Sequence, residues 1–190
     1  MKDNIFFETI KCEDFEVFNL FYHEQRVAKT IGMNLNLQDY IYPPSSKLYR
    51  CKVIYDESGI LDVNYFVYKK REIRSFKIII DETIEYSKKR VNREELEKLF
   101  GKKELADEII IVKNGIVTDT SIANIAIFDG SNWLTSKNCL LQGTTRARCL
   151  QEGFLIEKDI TLQMLKDAKK IALMNAMIDF DVLEDYSFLL

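Results

Sequence analysis

EIIIVKNGIVTDTSIANIAIF, Glu108–Phe128, holds three strand-like runs in 21 residues. Glu108–Val112 is rich in β-branched residues, Lys113–Gly115 supplies a turn, and Val117–Thr120 and Asn124–Phe128 follow as shorter runs. Branched side chains suit a pleated, half-buried surface, so this stretch predicts packed β-structure rather than helix. Downstream, Asp129–Asn132 turns the chain into a strand at Trp133–Thr135. Gly143 precedes a helix over Thr145–Glu152, and Gly153 ends it. Phe154–Lys158 reads as a strand, Leu162–Lys166 as a helical turn, and Lys170–Met174 as a final buried strand.

Upstream, Ile5–Lys11 reads as a strand, Cys12–Phe15 as a turn and Glu16–Asn19 as the second strand of a hairpin. Phe21, Val27 and Ile31 then recur near helical period, with Gly32 as the stop signal. Asn34–Ser46 contains both prolines, Pro43 and Pro44, and predicts a connecting loop. Leu48–Tyr55, Val63–Lys69 and Phe76–Ile80 predict three antiparallel strands with turns near Asp56–Gly59 and Lys70–Arg74. Ser87–Phe100 predicts a helix, with Leu96 and Phe100 on one face. The whole is a strand-rich α+β chain with few helices and no internal repeat.

Composition narrows the function classes. The 190 residues are 47% hydrophobic and 30% charged, enough to bury a core in one domain or two small ones. A formal charge of -3 lacks the concentrated basic surface that general nucleic-acid binding needs. No apolar run approaches the ~18 residues of a membrane-spanning helix, and MKDNIFFETI lacks the apolar stretch of a secretory signal. The expected location is cytoplasmic. Cys12, Cys51, Cys139 and Cys149 form no CxxC pair and read as reduced thiols, with no metal site implied. His23 is the single histidine, so multi-histidine metal sites are excluded. A structural role is expected for it, and proton chemistry falls to Lys, Tyr, Asp or Glu.

Two stretches suggest chemistry. In LLQGTTRARCL, Gly143 opens the backbone while Thr144 and Thr145 offer hydroxyls and N–H groups at a helix N-terminus. The helix dipole and unsatisfied amides there favour a phosphate, although the same pattern also caps helices. Lys88 and Lys89, in EYSKKRVNREELEKLF, read in isolation as part of a solvated face.

The order of the pieces says more than each alone. YHEQR (Tyr22–Arg26), KRVNR (Lys89–Arg93), Glu108–Phe128, WLTSKNCLLQGTTR (Trp133–Arg146) and NAM (Asn175–Met177) together resemble the class IV aminotransferase family. That family shows a histidine-x-x-arginine helix and a lysine three residues before an asparagine. An acidic-x-x-x-x-asparagine strand pair, a leucine-x-glycine-x-threonine-arginine turn and an asparagine-alanine turn follow. The resemblance runs from FFETI at Phe6 to Asn175. It implies a two-lobed fold-type IV, D-amino acid aminotransferase-like architecture, with a small α+β lobe over residues 1–80 and a larger one over 81–190. Pyridoxal 5′-phosphate (PLP) would lie in the cleft between the lobes. Family members commonly start about thirty residues earlier, so a truncated N-terminal lobe is expected. One of its sheet edges would then be missing or supplied by a partner, in a homodimer.

By the same resemblance Lys89 is the Schiff-base lysine and proton carrier, its register to Asn92 selecting it over Lys88. Arg26 is the phosphate-binding arginine, Thr144 and Thr145 complete that site, and Asn175 with Ala176 closes it. Asp119 stands where the family places a glutamate facing the pyridine nitrogen, one methylene shorter but with the charge kept. Asn124 fixes the loop behind Asp119. Arg50 and Thr9 are the expected substrate contacts, with Tyr86 a further candidate. The implied activity on a small-molecule amino substrate is that of a 4-amino-4-deoxychorismate lyase. The alternatives are an aminotransferase for branched-chain or D-amino acids and a non-catalytic shortened homologue.

Overall fold

Strand β1 (Phe6–Glu13) shows how the first unit is built. Phe6, Glu8, Ile10 and Cys12 point to one face and are buried, whereas Phe7, Thr9 and Lys11 point to the other. The computed structural model describes residues 4–189, which divide into two compact units. The first comprises residues 1–70 and 88–92, the second 71–87 and 93–190, so the expected boundary at residue 80 gives way to one at 70/71 with a return at 88–92.

In the first unit, β1 pairs antiparallel with β3 (Tyr49–Asp56), which pairs with β4 (Gly59–Val67). The two-residue strand β2 (Glu16–Val17) covers the C-terminal end of β1, giving the order β2-β1-β3-β4. Helix α1 (Leu20–Ile31) lies on the buried face and inserts His23, Val27 and Thr30, spaced as one helical stripe. Gly32 ends it with φ 75°, donating its N–H to the Ala28 carbonyl at 2.8 Å. Ile10, Val27, Leu37, Cys51, Val53 and Tyr55 are completely buried in this core. Each large aliphatic member contributes about 1.5–3 kcal/mol.

The second unit is a nine-stranded sheet of described residues. Its strands are β5 (Ser75–Ile80), β6 (Glu108–Lys113), β7 (Ile116–Thr120), β8 (Asn124–Phe128), β9 (Trp133–Ser136), β10 (Leu155–Lys158), β11 (Lys170–Asn175), β12 (Asp179–Leu183) and β13 (Ser187–Leu189). The order is β10-β9-β8-β7-β6-β5-β13, with β11 paired to β8 and β12 to β11. Helices α2 (Glu94–Phe100), α3 (Thr144–Gln151) and α4 (Leu162–Asp167) complete it.

Three expectations change. Phe76–Ile80 does not join an antiparallel trio; β5 pairs parallel with β6 and β13 in the other sheet. Its apolar run FKIII fits a strand flanked on both sides rather than a half-exposed hairpin. Lys170–Met174 is not the final strand, because β12 and β13 follow. Residues 87–92 are not helical either. Phe7 donates its N–H to the Lys89 carbonyl and Val91 to the Ile5 carbonyl, both at 2.9 Å, and Phe6 bridges Arg90. Pairing with the exposed backbone edge of β1 overrides the helix propensity of KKR. The N-terminal part of that edge is therefore covered by the chain's own segment. Among the described residues no helix is long and apolar enough to cross a membrane.

Candidate active site

In the first unit the doublet Lys88-Lys89 is split by the strand it joins. Lys88 Nζ donates to the Thr30 carbonyl at 2.8 Å, in the last turn of α1, and lies 5.5 Å from the Phe6 ring centroid. Lys89 Nζ lies 4.7 Å from the Phe7 centroid. Phe6 and Phe7 face opposite ways, so only Lys89 reaches the face that carries Thr9. Across β3 that face continues with Arg50 and Lys52, the register partners of Lys11 and Thr9. Three of the expected site residues, Lys89, Thr9 and Arg50, thus share one face of the sheet.

Arg26 is on the other side. Its Nε donates to Glu8 Oε1 at 2.8 Å and its Nη2 to Glu8 Oε2, a two-pronged ion pair. Glu8 Oε2 also meets His23 Nδ1 at 2.5 Å. Burial works against the Glu8 charge, but the Arg26 guanidinium and the hydrogen bonds from His23 and Arg26 overcome it and hold the carboxyl at about 2. Burial pushes the His23 pKa down, against the pull of Glu8. The neutral ring then donates from Nδ1, and Nε2 has no hydrogen-bond partner among the described residues. Glu8 escaped the sequence reading. Its signal was a carboxylate on the apolar face of a strand, between Phe6 and Ile10, which requires a buried partner.

In the second unit, Asp119 and Asn124 are register partners at the only pairing point of β7 and β8. Asn124 Nδ2 donates to Asp119 Oδ1 at 2.6 Å and to the Leu141 carbonyl at 2.8 Å. The Leu141 N–H donates to Asp119 Oδ2 at 2.9 Å. Burial raises the Asp119 carboxyl to about 6, with Leu141, Asn124 and the Arg146 charge opposing the rise. A Cβ on Gly143 would stand 2.0 Å from Asn124 Oδ1, so the glycine is there to let Asn124 in. These bonds lock the β7–β8 turn to the loop that leads into α3.

Gly143 is the N-cap of α3 and provides no side-chain cap. Thr144 and Thr145 open the helix and are buried, and Thr145 Oγ1 has no partner among the described residues. An unpartnered hydroxyl beside open helix N–H groups suits a phosphate oxygen. Arg146 is spent on protein partners, donating to Gln142 Oε1 and the Ser136 carbonyl at 2.8 Å each and to Glu157 at 2.5 Å. Asn175 Oδ1 accepts from Met177 and Ile178 N–H groups, and its Nδ2 donates to the Ile122 carbonyl. It holds the β11–β12 turn, with Ala176 half-buried beside it. Tyr86 lines a cavity with Ser87, Thr118, Asn138 and Cys139. No cluster of three metal-ligating side chains occurs among the described residues.

The residues fit PLP in kind: an amine at Lys89, a helix N-terminus with an open hydroxyl at Thr145, and a positioned carboxylate at Asp119.

The Amino-transferase class IV family model matches residues 87–180. An uncharacterized protein of Haemophilus influenzae is 34% identical over 182 residues, which span 90% of this chain and 96% of that one. A Haemophilus somnus 129pt protein provisionally assigned as a 4-amino-4-deoxychorismate lyase superposes with a TM-score of 0.85. Its identity is 31%, over 93% of this chain and 98% of that one. A hypothetical aminotransferase from Mycobacterium tuberculosis, in its PLP-bound form, shares the fold with a TM-score of 0.76. There the identity is 16%, over 98% of this chain and 84% of that one. With 34% identity spread over nearly the full length of a relative and a fold-type IV architecture, the chain belongs to the class IV aminotransferase family.

Proposed function

We propose that this chain is a PLP-dependent lyase that converts 4-amino-4-deoxychorismate into 4-aminobenzoate and pyruvate. The observation that carries the reading is the placement of one lysine. Lys88 is committed to the Thr30 carbonyl, while Lys89 shares the Phe7 face of β1 with Thr9 and Arg50. The 31% identity to the Haemophilus somnus protein favours the lyase over the aminotransferase.

Bound PLP supplies the electrophile for the substrate amine and the electron sink for the charge left when the adjacent C–H bond breaks. The chain supplies everything else. Lys89 takes the proton from the amine-bearing carbon, a task suited to an amine that is nucleophilic and basic in turn. The enolpyruvyl oxygen then leaves the neighbouring carbon, and substrate and products balance with no co-substrate. Thr144, Thr145 and the N–H groups of α3 would hold the phosphate, whereas Arg26 is engaged by Glu8 on the opposite face of β1 from Lys89. Asp119 would supply the carboxylate for the pyridine nitrogen. Asn124 and the Leu141 N–H orient its carboxylate.

The test is pyruvate release from 4-amino-4-deoxychorismate with PLP and no α-keto acid, alongside borohydride trapping of PLP on the Lys89 peptide. Release in wild type and its loss in Lys89→Ala, together with loss of the trapped peptide, supports the lyase. A strict requirement for an α-keto acid makes the protein an aminotransferase. Absence of any trapped peptide makes it a non-catalytic homologue.

A further inference from the structure

The outward face of the first sheet carries three cations, Lys11 and the pair Arg50 and Lys52, and they are not equivalent. Lys11 is neutralised by Glu13 at 2.8 Å. Arg50 and Lys52 have no carboxylate partner among the described residues. Arg50 stacks on Phe66, 4.9 Å from its centroid, and Lys52 lies over Phe7 at 5.2 Å. Aromatic faces stabilise a cation but leave its N–H donors unspent.

A carboxylate stands close by and is turned elsewhere. Asp62 of β4 is opposite Ile54, one same-face pair along from Asn64 opposite Lys52. Cross-strand neighbours of opposite charge ordinarily pair. Here Asp62 instead accepts from Asn64 Nδ2 at 2.6 Å and from the Val63 N–H at 2.9 Å. Asn64 thus intercepts an anion on the strand facing Lys52. On its other side Lys52 faces Thr9, whose hydroxyl adds a neutral donor to the same spot.

Lys52 and Lys89 share a ring. Their ammonium nitrogens lie 5.2 and 4.7 Å from the centroid of Phe7, which puts them within about 10 Å of each other, a span that one dicarboxylate substrate covers. Arg50 lies two residues along the same strand face, about 7 Å away. We propose that Lys52 is a specificity-determining residue, and that with Arg50 it makes a platform for an amine substrate bearing two carboxylates, one at each cation. The identity of that substrate rests on the lyase reading: 4-amino-4-deoxychorismate carries two carboxylates, whereas branched-chain amino acids carry one. Lys52 docks one carboxylate next to Lys89, which fixes the position of the carbon that loses its proton.

The experiment is calorimetric binding of chorismate to the PLP-loaded protein at fixed ionic strength. Chorismate has the two carboxylates and lacks the amine, so binding is read without turnover. Lys52→Gln is expected to weaken it about tenfold or more, the effect of one charge-assisted hydrogen bond. Lys52→Arg is expected to recover most of the loss, and Lys11→Gln, which removes a cation already paired, to leave binding near wild type. Unchanged trapping of PLP on Lys89 in Lys52→Gln verifies an intact fold. Equal binding by wild type and Lys52→Gln overturns the proposal, as does an equal loss in Lys11→Gln or no binding by wild type. If pyruvate is released while binding ignores Lys52, the lyase stands and the platform falls. If binding depends on Lys52 and no pyruvate appears, the platform stands and the lyase falls.

Discussion

Lys88 and Lys89 are consecutive in the chain, yet their ammonium groups lie over rings on opposite faces of β1, Lys88 over Phe6 and Lys89 over Phe7. The alternation of an extended strand produces this split, and a helix, which the local sequence favours, would not. The pairing of residues 89–91 with β1 is therefore what makes two like lysines chemically different.

Replacing the two separates structure from chemistry. Lys88→Ala removes the bond to the Thr30 carbonyl at the end of α1 and is expected to cost about 1 kcal/mol in urea unfolding. It should retain PLP trapping. Lys89→Ala is expected to keep its stability within about 0.5 kcal/mol and to lose trapping, as read by peptide mass.

Glu8 is expected to dominate the acid sensitivity of the first unit. Its carboxyl is held at about 2 against an ordinary 4.5. A carboxylate depressed on folding stabilises above its unfolded pKa, so the contribution, on the order of 3 kcal/mol, is present above pH 4.5 and lost as pH falls towards 2. Glu8→Gln should flatten that limb of the stability curve. Glu8→Ala, which leaves Arg26 and His23 without their shared anion, should cost about 3–5 kcal/mol at neutral pH.

Gly143→Ala drives a methyl group into Asn124 Oδ1, whose amide is anchored to Asp119 and Leu141. The expected loss is about 1–3 kcal/mol. Asn124→Ala removes the obstacle, so the double variant should lose less than the two single losses combined, by about 0.5 kcal/mol or more. Strict additivity in a denaturant cycle would contradict this contact.

Asp119 titrates in the opposite sense to Glu8. Burial first, then its weaker opposing partners, leave the carboxyl at about 6, above the ordinary 3.8. A raised carboxyl stabilises as the neutral acid, fully below pH 3.8, and that stability is lost as pH rises through 6. The stability of Asp119→Asn relative to wild type, both without PLP, should therefore improve between pH 4 and 7, by on the order of 3 kcal/mol. A flat difference across that range would mean that Asp119 is ionised throughout.

The sequence by itself determined a good deal. Weak alternation located β1, β-branched and aromatic runs between turn residues located β3, β6, β8 and β9, and helical period with Gly32 located α1 and its end. The ordered motifs identified the family, because each records a local need: an open glycine at 143, hydroxyls at a helix start, an acid five residues before an asparagine. Asn124 was read as the residue that fixes the loop behind Asp119, and its bonds to Asp119 and Leu141 do so.

Only the tertiary structure decided what depends on distant partners. Whether Ser87–Asn92 is helix or strand turned on the backbone edge of β1, some eighty residues away in sequence, and with it which lysine faces Thr9. The sheet that β5 joins was set by β6 and β13 rather than by the strands before it. The tie between Glu8, His23 and Arg26, and the lack of any carboxylate for Lys52 among the described residues, are sums over side chains brought together from separate elements. A local pattern records which way a side chain points; its charge partner is fixed only when the strands and helices pack.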